Sequence, residues 1–500
     1  MIGEYEDYDA LGLAELVKKK EVSALELLDT AIERSEKYNP ELNAVVHTMY
    51  DEARETASEE INLEAPFAGV PFLVKDLIAD VAGEPTTSSC KILAGIVEDT
   101  DSELVSRFKK SGLVLFGKTN TPEFGIMGIT ESKFRGAAYN PWDLTKSTGG
   151  SSGGSGAAVA ARIVPMAHGG DGGGSIRIPS SHCGLVGLLP SRGRNPMGPK
   201  IGEGWGGLAR EHVLTRTVRD SAAMLDCLAG EDAGPPYTAP NNKKSSFLEA
   251  CEKSDKPLTI AFTREALYAS SIHSDNVEAV DDAVALLQGL GHTVVEDKPV
   301  FDRHAYSKSY LQIVCGWIAW EIEQTAVKAG KEIKFEDYEL TSWIMGLVGQ
   351  KSSALDLTNA IHACHQAARM MGAFHKKYDL FLSATTAQPP ATIGTLYPHG
   401  SDAFAMQVLR RIPFKGLLSK ALDSLAEDAL SATPNTQLFN QTGQPAISLP
   451  LNRNKEGLPI GVQFAAEYGN ECTLYRIAAE LERAQPWINL KPSLISKTSD

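Results

Sequence analysis

Ser147-Thr-Gly-Gly-Ser-Ser-Gly-Gly-Ser-Gly156, an alanine-rich link, and then Gly169-Gly-Asp-Gly-Gly-Gly-Ser-Ile-Arg-Ile-Pro179 form the most informative stretch of this chain. Residues without a Cβ let a backbone approach a ligand closely and point several amides into one concavity. Two such runs bracketing a short helix, predicted over Gly156 to Ala161, suggest a cradle that serves two hydroxyls, Ser151 and Ser175.

Outward from this stretch, short apolar runs bounded by Gly and Pro predict buried strands at Phe72 to Val74, Leu113 to Phe116 and Ile163 to Ala167. Lys75 ends the first, and the polar turn Gly117 to Asn120 is expected after the second. Upstream, Ser23-Ala-Leu-Glu26 reads as a capping box opening a helix with Leu25, Leu28 and Ile32 on one face. Ala44 to Val46 reads as a strand and Asp51 to Glu60 as a helix. Downstream the pattern loosens through a glycine-rich loop, Gly198 to Gly207. A strand, helix and strand follow at Leu258 to Phe262, Val277 to Leu290 and His292 to Val295. Helices dominate from Tyr306 to Lys377, with strands at Leu380 to Leu382, Ala446 to Leu451 and Ile460 to Ala466 and a helix over Cys472 to Ala484. Alternating strands and helices predict an α/β fold in which helices surround a central mixed β-sheet. No repeat or linker divides the chain, so one compact domain is expected.

Composition narrows the function classes. Sixty-three acidic against 48 basic residues leave the 500-residue chain at net −15, which disfavours nucleic acid as a partner. No window reaches the ~18 apolar residues of a membrane span, and Met1 to Ala10 lacks the basic and apolar regions of a signal peptide. Seven scattered cysteines without Cys-x-x-Cys pairing favour reduced thiols over a disulfide framework or a zinc site, so a cytoplasmic location is expected.

Two familiar patterns fail on context. Gly112-Leu-Val-Leu-Phe-Gly-Lys-Thr119 fits a phosphate-loop expression, but its middle residues are apolar and read as the strand itself. Gly149-Gly-Ser-Ser-Gly153 fits a nucleophile elbow, yet the preceding Asn140 to Ser147 is polar and contains proline where a buried strand should stand. A histidine partner is not apparent either; His399, beside Pro398, sits in no recognisable setting. A lysine at a buried strand end can replace histidine as base, because desolvation favours its neutral form.

Gly69-Val-Pro-Phe-Leu-Val-Lys-Asp76, Gly149-Gly-Ser-Ser-Gly-Gly-Ser155 and Asp171-Gly-Gly-Gly-Ser-Ile-Arg-Ile-Pro179, in that order, resemble the amidase signature family. The likeness extends to Lys118-Thr-Asn-Thr-Pro-Glu123, Asn140-Pro-Trp142, Gly443 to Pro450 and Pro459 to Gln463. It implies a Ser-cisSer-Lys triad: Ser175 as nucleophile, Ser151 as bridging serine after a cis peptide from Gly150, and Lys75 as base. It also implies an oxyanion cradle of Gly172, Gly173, Gly174 and the Ser175 amide, with Asp171 and Arg177 as supports and Ser152 and Ser155 as loop hydrogen-bonders. Gly125 and Ile126 would line the acyl pocket. The resemblance implies a small amide as substrate, neither metal nor organic cofactor, and a homodimer.

By the same resemblance, residues 1–500 form one amidase domain. A helical N-terminal region (1–65) precedes a catalytic core (66–195), a variable specificity region (196–440), and closing strands and helix (441–500). Gly170-Asp171 stands where the family often has Thr-Asp, and Gly187-Leu-Leu-Pro-Ser191 where it often has Gly-Leu-Lys-Pro-Thr; both departures bear on the acyl site rather than the triad. Asn39 to Ala44, Pro66 to Pro71, Cys315 with Glu321-Ile-Glu323, and Thr341-Ser-Trp343 resemble the branch that opens 6-aminohexanoate cyclic dimer, a small cyclic diamide. Cys315 then becomes a candidate pocket residue, although a cysteine among Ile313, Val314 and Trp317 also suits plain core; Ile126, Trp317 and Trp343 are expected to set specificity. Two other readings stay open: the glutamine-hydrolysing subunit of a tRNA-dependent amidotransferase, and a catalytically silent scaffold or nucleotide-binding protein.

Overall fold

In the computed structural model, eleven strands join in a single mixed sheet. Residues 4–240, 246–252, 256–268, 271–397, 400–411 and 430–496 are described, with a few isolated positions between 412 and 429; His399 lies outside them. The strands are β1 (Val45–Thr48), β2 (Pro71–Lys75), β3 (Val114–Thr119), β4 (Met166–Asp171), β5 (Val186–Leu189) and β6 (Arg210–Thr215), then β7 (Thr259–Phe262), β8 (Thr293–Glu296), β9 (Leu380–Ala384), β10 (Ala446–Arg453) and β11 (Pro459–Ala466). Across the sheet they run β1-β3-β2-β4-β6-β5-β10-β11-β9-β7-β8. Strand β2 is parallel to both β3 and β4, and β7 to both β8 and β9. The remaining neighbours are antiparallel. This is the α/β architecture with a central mixed sheet that the alternating pattern predicts.

The parallel trio places the chemistry. Strands β2 and β4 point the same way, so their last residues, Lys75 and Asp171, emerge at the same edge of the sheet. The helix Gly153–Ala160 packs there with every residue buried, which a helix of Gly, Ser, Ala and Val can do because nothing larger holds its neighbours off. At Gly154 a Cβ would stand 2.6 Å from the Ala44 carbonyl oxygen, so only glycine fits between this helix and the chain entering β1.

Most elements lie within a few residues of their predicted positions, and the Ser23–Glu26 capping box is present at the start of the helix Ala24–Leu42. The differences cluster around glycine and charge. The expected turn at Gly117 to Asn120 is strand up to Thr119, paired with β1 and β2. That pairing also places Val114 to Phe116 within the sheet rather than in a phosphate-holding loop. The strand expected over Ile163 to Ala167 instead runs from Met166 to Asp171, through two glycines that have no intrinsic preference for it. Strands β5 and β6 and the helix Val218–Leu228 stand where the pattern only loosens. Among the described residues, no helix is long and apolar enough to cross a membrane.

Candidate active site

Lys75 is 1% exposed, and its Nζ lies 2.7 Å from Ser151 Oγ. Burial pulls the ammonium down from its ordinary value to about 8, although the carboxylates of Glu211 and Asp171 pull the other way. A substantial share of this lysine is therefore neutral near pH 8, which an exposed lysine would not be. The Gly150–Ser151 peptide is cis. The Ser152 amide donates to the Ser175 carbonyl over 3.2 Å, which brings the two glycine-serine runs into contact. Ser152 Oγ donates to the Gly170 carbonyl and Ser155 Oγ to that of His168, so both serines stitch the helix onto β4. Lys75, Ser151 and Ser175 line one pocket with Gly125, Gly170, Asp171, Gly172, Trp205, Glu211, Trp317 and Glu321.

Asp171 and Arg177 are fully buried and meet side by side, Nε to Oδ2 and Nη2 to Oδ1 each at 2.9 Å. Burial alone would raise the Asp171 carboxyl; the Arg177 guanidinium, Asn440 Nδ2 and the Gly174 amide outweigh it and hold the group at about 2. Arg177 also donates to the Thr436 carbonyl, Gln463 Oε1 and Asn440 Oδ1. Asp171 accepts the Gly174 amide at 2.6 Å and that of Ile176 at 3.2 Å, which fixes the turn around Ser175. The Gly174 amide is thus engaged inside the loop, while among the described residues no hydrogen bond uses the amides of Gly172, Gly173 or Ser175. Gly174 sits at φ +126°, where a side chain would be strained, and a Cβ on Gly172 would come within 2.6 Å of the Trp205 indole.

The other expected pocket residues divide. Gly125 lines the pocket, and a Cβ there would stand 3.1 Å from Ser151 Oγ. Ile126, its neighbour, packs half-buried against the apolar cluster behind the site. Cys315 is 0% exposed in that same cluster, with its thiol pushed up to about 12 by burial. It is not among the pocket's lining residues, whereas Trp317, two positions on, is. Trp343 meets the Phe335 ring edge-on and the Tyr338 ring at a tilt, and it is not among the pocket's lining residues. Among the described residues, no group of three or more His, Cys, Asp or Glu side chains is placed to hold a metal ion.

Sequence reasoning missed the carboxylate behind Lys75. Strand β6 runs antiparallel to β4 with Glu211 opposite Gly170, and the missing side chain at Gly170 leaves the space that the Glu211 carboxylate fills. Glu211 Oε2 lies 2.9 Å from His168 Nε2, and His168 Nδ1 accepts the Lys75 amide at 3.2 Å. Nδ1 is therefore unprotonated, and Nε2–H donates to Glu211. Because Glu211 favours the charged form of Lys75, its removal shifts the balance to the neutral amine. Glu211→Gln is expected to move the alkaline-rising limb of kcat/KM to lower pH by on the order of one unit, read from a pH profile on any hydrolysed amide. An unmoved limb would show that Glu211 does not set this titration.

A family model described as Amidase matches residues 26–475, most of the chain. This is a member of the amidase signature family. As such the chain is a hydrolase acting on carbon–nitrogen bonds. The 6-aminohexanoate-cyclic-dimer hydrolase of Pseudomonas sp. (strain NK87) is 37% identical to this amidase over 98% of the chain and 97% of its own length. A solved 6-aminohexanoate cyclic dimer hydrolase complexed with substrate superposes with a TM-score of 0.89 at 35% identity, covering 98% of this chain and 99% of that one. A bacterial aryl acylamidase of the amidase signature family superposes at 0.84 with 27% identity, covering 96% of each chain.

Proposed function

We propose that this amidase cleaves a small linear or cyclic amide, with 6-aminohexanoate cyclic dimer a candidate substrate, through Lys75, Ser151 and Ser175. What carries the reading is the contact of the buried Lys75 Nζ with Ser151 Oγ inside the pocket that Ser175 also lines. Neutral Lys75 takes the Ser151 proton while Ser151 takes that of Ser175, so the Ser175 oxygen attacks the amide carbon. The tetrahedral oxyanion rests on the amides of Gly172, Gly173 and Ser175; Gly174, whose amide Asp171 accepts, holds the turn instead. Collapse breaks the C–N bond, and the proton on Lys75 returns through Ser151 to the leaving amine. Water then repeats the relay on the acyl ester and frees the acid.

Activity is expected to rise with pH. The base must be neutral, so kcat/KM climbs along a limb near pH 8 and levels above it. A profile flat from pH 6 to 10 would remove Lys75 from the role of base. The test of the reaction itself is amine release from 6-aminohexanoate cyclic dimer, simple aliphatic and aryl amides, and glutamine, with intact mass measured after rapid quenching. An adduct of the acyl mass on wild-type protein, absent in Ser175→Ala, is the expected result. Hydrolysis of glutamine alone would favour the amidotransferase reading. The pocket gives that reading little support: Lys75 is the only cationic side chain among its lining residues, and glutamine's α-carboxylate needs a cation of its own.

A further inference from the structure

The helix Arg303–Ala329 sends Trp317 and Glu321, four residues apart and so on one face, to the same pocket as Ser175. Three carboxylates line that pocket, and two have hydrogen-bond partners: Asp171 the Arg177 guanidinium, and Glu211 the Nε2–H of His168. The Glu321 carboxylate has no hydrogen bond or ion pair among the described residues, and Lys328, the one charge that acts on it, has its Nζ on Glu98 instead. Burial pushes the Glu321 carboxyl up to about 7, the mark of an acid that lacks a compensating cation. The aromatic side chains that line the pocket with it are Phe124, Trp205 and Trp317, and aromatic faces, indoles most of all, attract cations. Trp205 lies against Gly172, in the turn that leads into Ser175, so this end of the pocket is close to where an amide would be cleaved.

We propose that Glu321, with Trp205 and Trp317, recognises an alkylammonium group, so that the amides this pocket selects carry a protonated primary amine. The inference rests on the amide-hydrolase reading of the same pocket. It favours small amino amides over neutral amides of equal length and disfavours anionic ones, for which the lining offers only Lys75. A neutral cyclic diamide could enter, but it would leave Glu321 unanswered.

The test uses the full chain and two probes of one shape, n-hexylammonium and 1-hexanol, titrated calorimetrically into wild-type and Glu321→Gln protein. The ammonium is expected to bind at least ~10-fold more tightly than the alcohol to wild type, with the difference collapsing in the variant. In parallel, the ratio of kcat/KM for 6-aminohexanoyl p-nitroanilide over heptanoyl p-nitroanilide should fall by a similar factor in Glu321→Gln. Equal binding of the two probes, binding to neither, or an ammonium preference unchanged in Glu321→Gln would each overturn the proposal. Circular dichroism of the variant guards against a folding defect. Ammonium binding that depends on Glu321 without hydrolysis of any anilide would sink the catalytic reading while leaving this recognition standing. Hydrolysis lost in Ser175→Ala but indifferent to Glu321 would do the reverse.

Discussion

Ser175→Ala is expected to lower kcat for amide hydrolysis by roughly 10⁴- to 10⁶-fold, the range seen when a nucleophile that works as part of a unit is removed. KM should change little. The side chain lost is one hydroxyl, 8% exposed at residue level and in no hydrogen bond among the described residues, so the fold keeps its contacts and thermal unfolding should shift only slightly. Lys75→Ala is expected to cost less, about 10² to 10⁴, because it removes proton transfer and leaves the attacking oxygen in place. The order matters as much as the size. Single-turnover amine release with purified variants measures both, and a Ser175→Ala protein that keeps a few per cent of wild-type kcat would overturn the assignment of the nucleophile.

Arg177→Met is expected to destabilise the fold by about 3–5 kcal/mol, the usual effect of removing one member of a buried ion pair. Methionine fills much of the space but answers none of the charge. Asp171 would be left with its carboxylate in the interior, facing only Asn440 and the backbone amides of the Ser175 turn. The sign with pH follows from the depressed carboxyl. Asp171 sits at about 2 in the fold against an ordinary 3.8, so the pair's contribution is complete above about pH 4 and disappears as pH falls toward 2. The gap between wild type and variant, read as urea midpoints along a pH series, should therefore narrow below pH 4. A gap independent of pH would mean that lost packing rather than lost charge is responsible. Activity should fall in the folded variant as well, since Asp171 holds the Gly174 and Ile176 amides on either side of Ser175.

What the sequence discloses here depends on how local the cause is. Strand β2 is legible because Phe72-Leu-Val74 is apolar on both faces, and the helix Ala24–Leu42 because its capping box is written within four residues. Strand β6 is not, since Arg210-Glu-His212 looks like surface until Glu211 finds His168 and Arg210 reaches the Phe439 and Asn440 carbonyls, each far along the chain. Strand β4 is displaced from its expected place because its glycines are there for what crosses them, the Glu211 carboxylate over Gly170 and the Leu214 side chain at Gly169. The candidate triad could be read because its glycine and serine spacing is dense. The pocket lining could be read only in part: Gly125, Gly172 and Trp317 line it as expected, but Cys315 and Trp317 lie two apart on one helix, and only the helix's rotation decides that the tryptophan faces the cavity and the cysteine the core.

The Arg177 guanidinium takes its remaining partners from Thr436, Asn440 and Gln463, all at least 259 residues further along the chain. A ribosome therefore finishes both serine-bearing runs long before the residues that lock the turn around Ser175 have left the exit tunnel. Until they arrive, the half-made chain holds Ser175, the proposed nucleophile, without a fixed setting. The enzyme is in this sense armed by its own completion, and a fragment ending before residue 436 should be inert toward the cell's amides, regaining competence only if the missing C-terminal piece is supplied in trans.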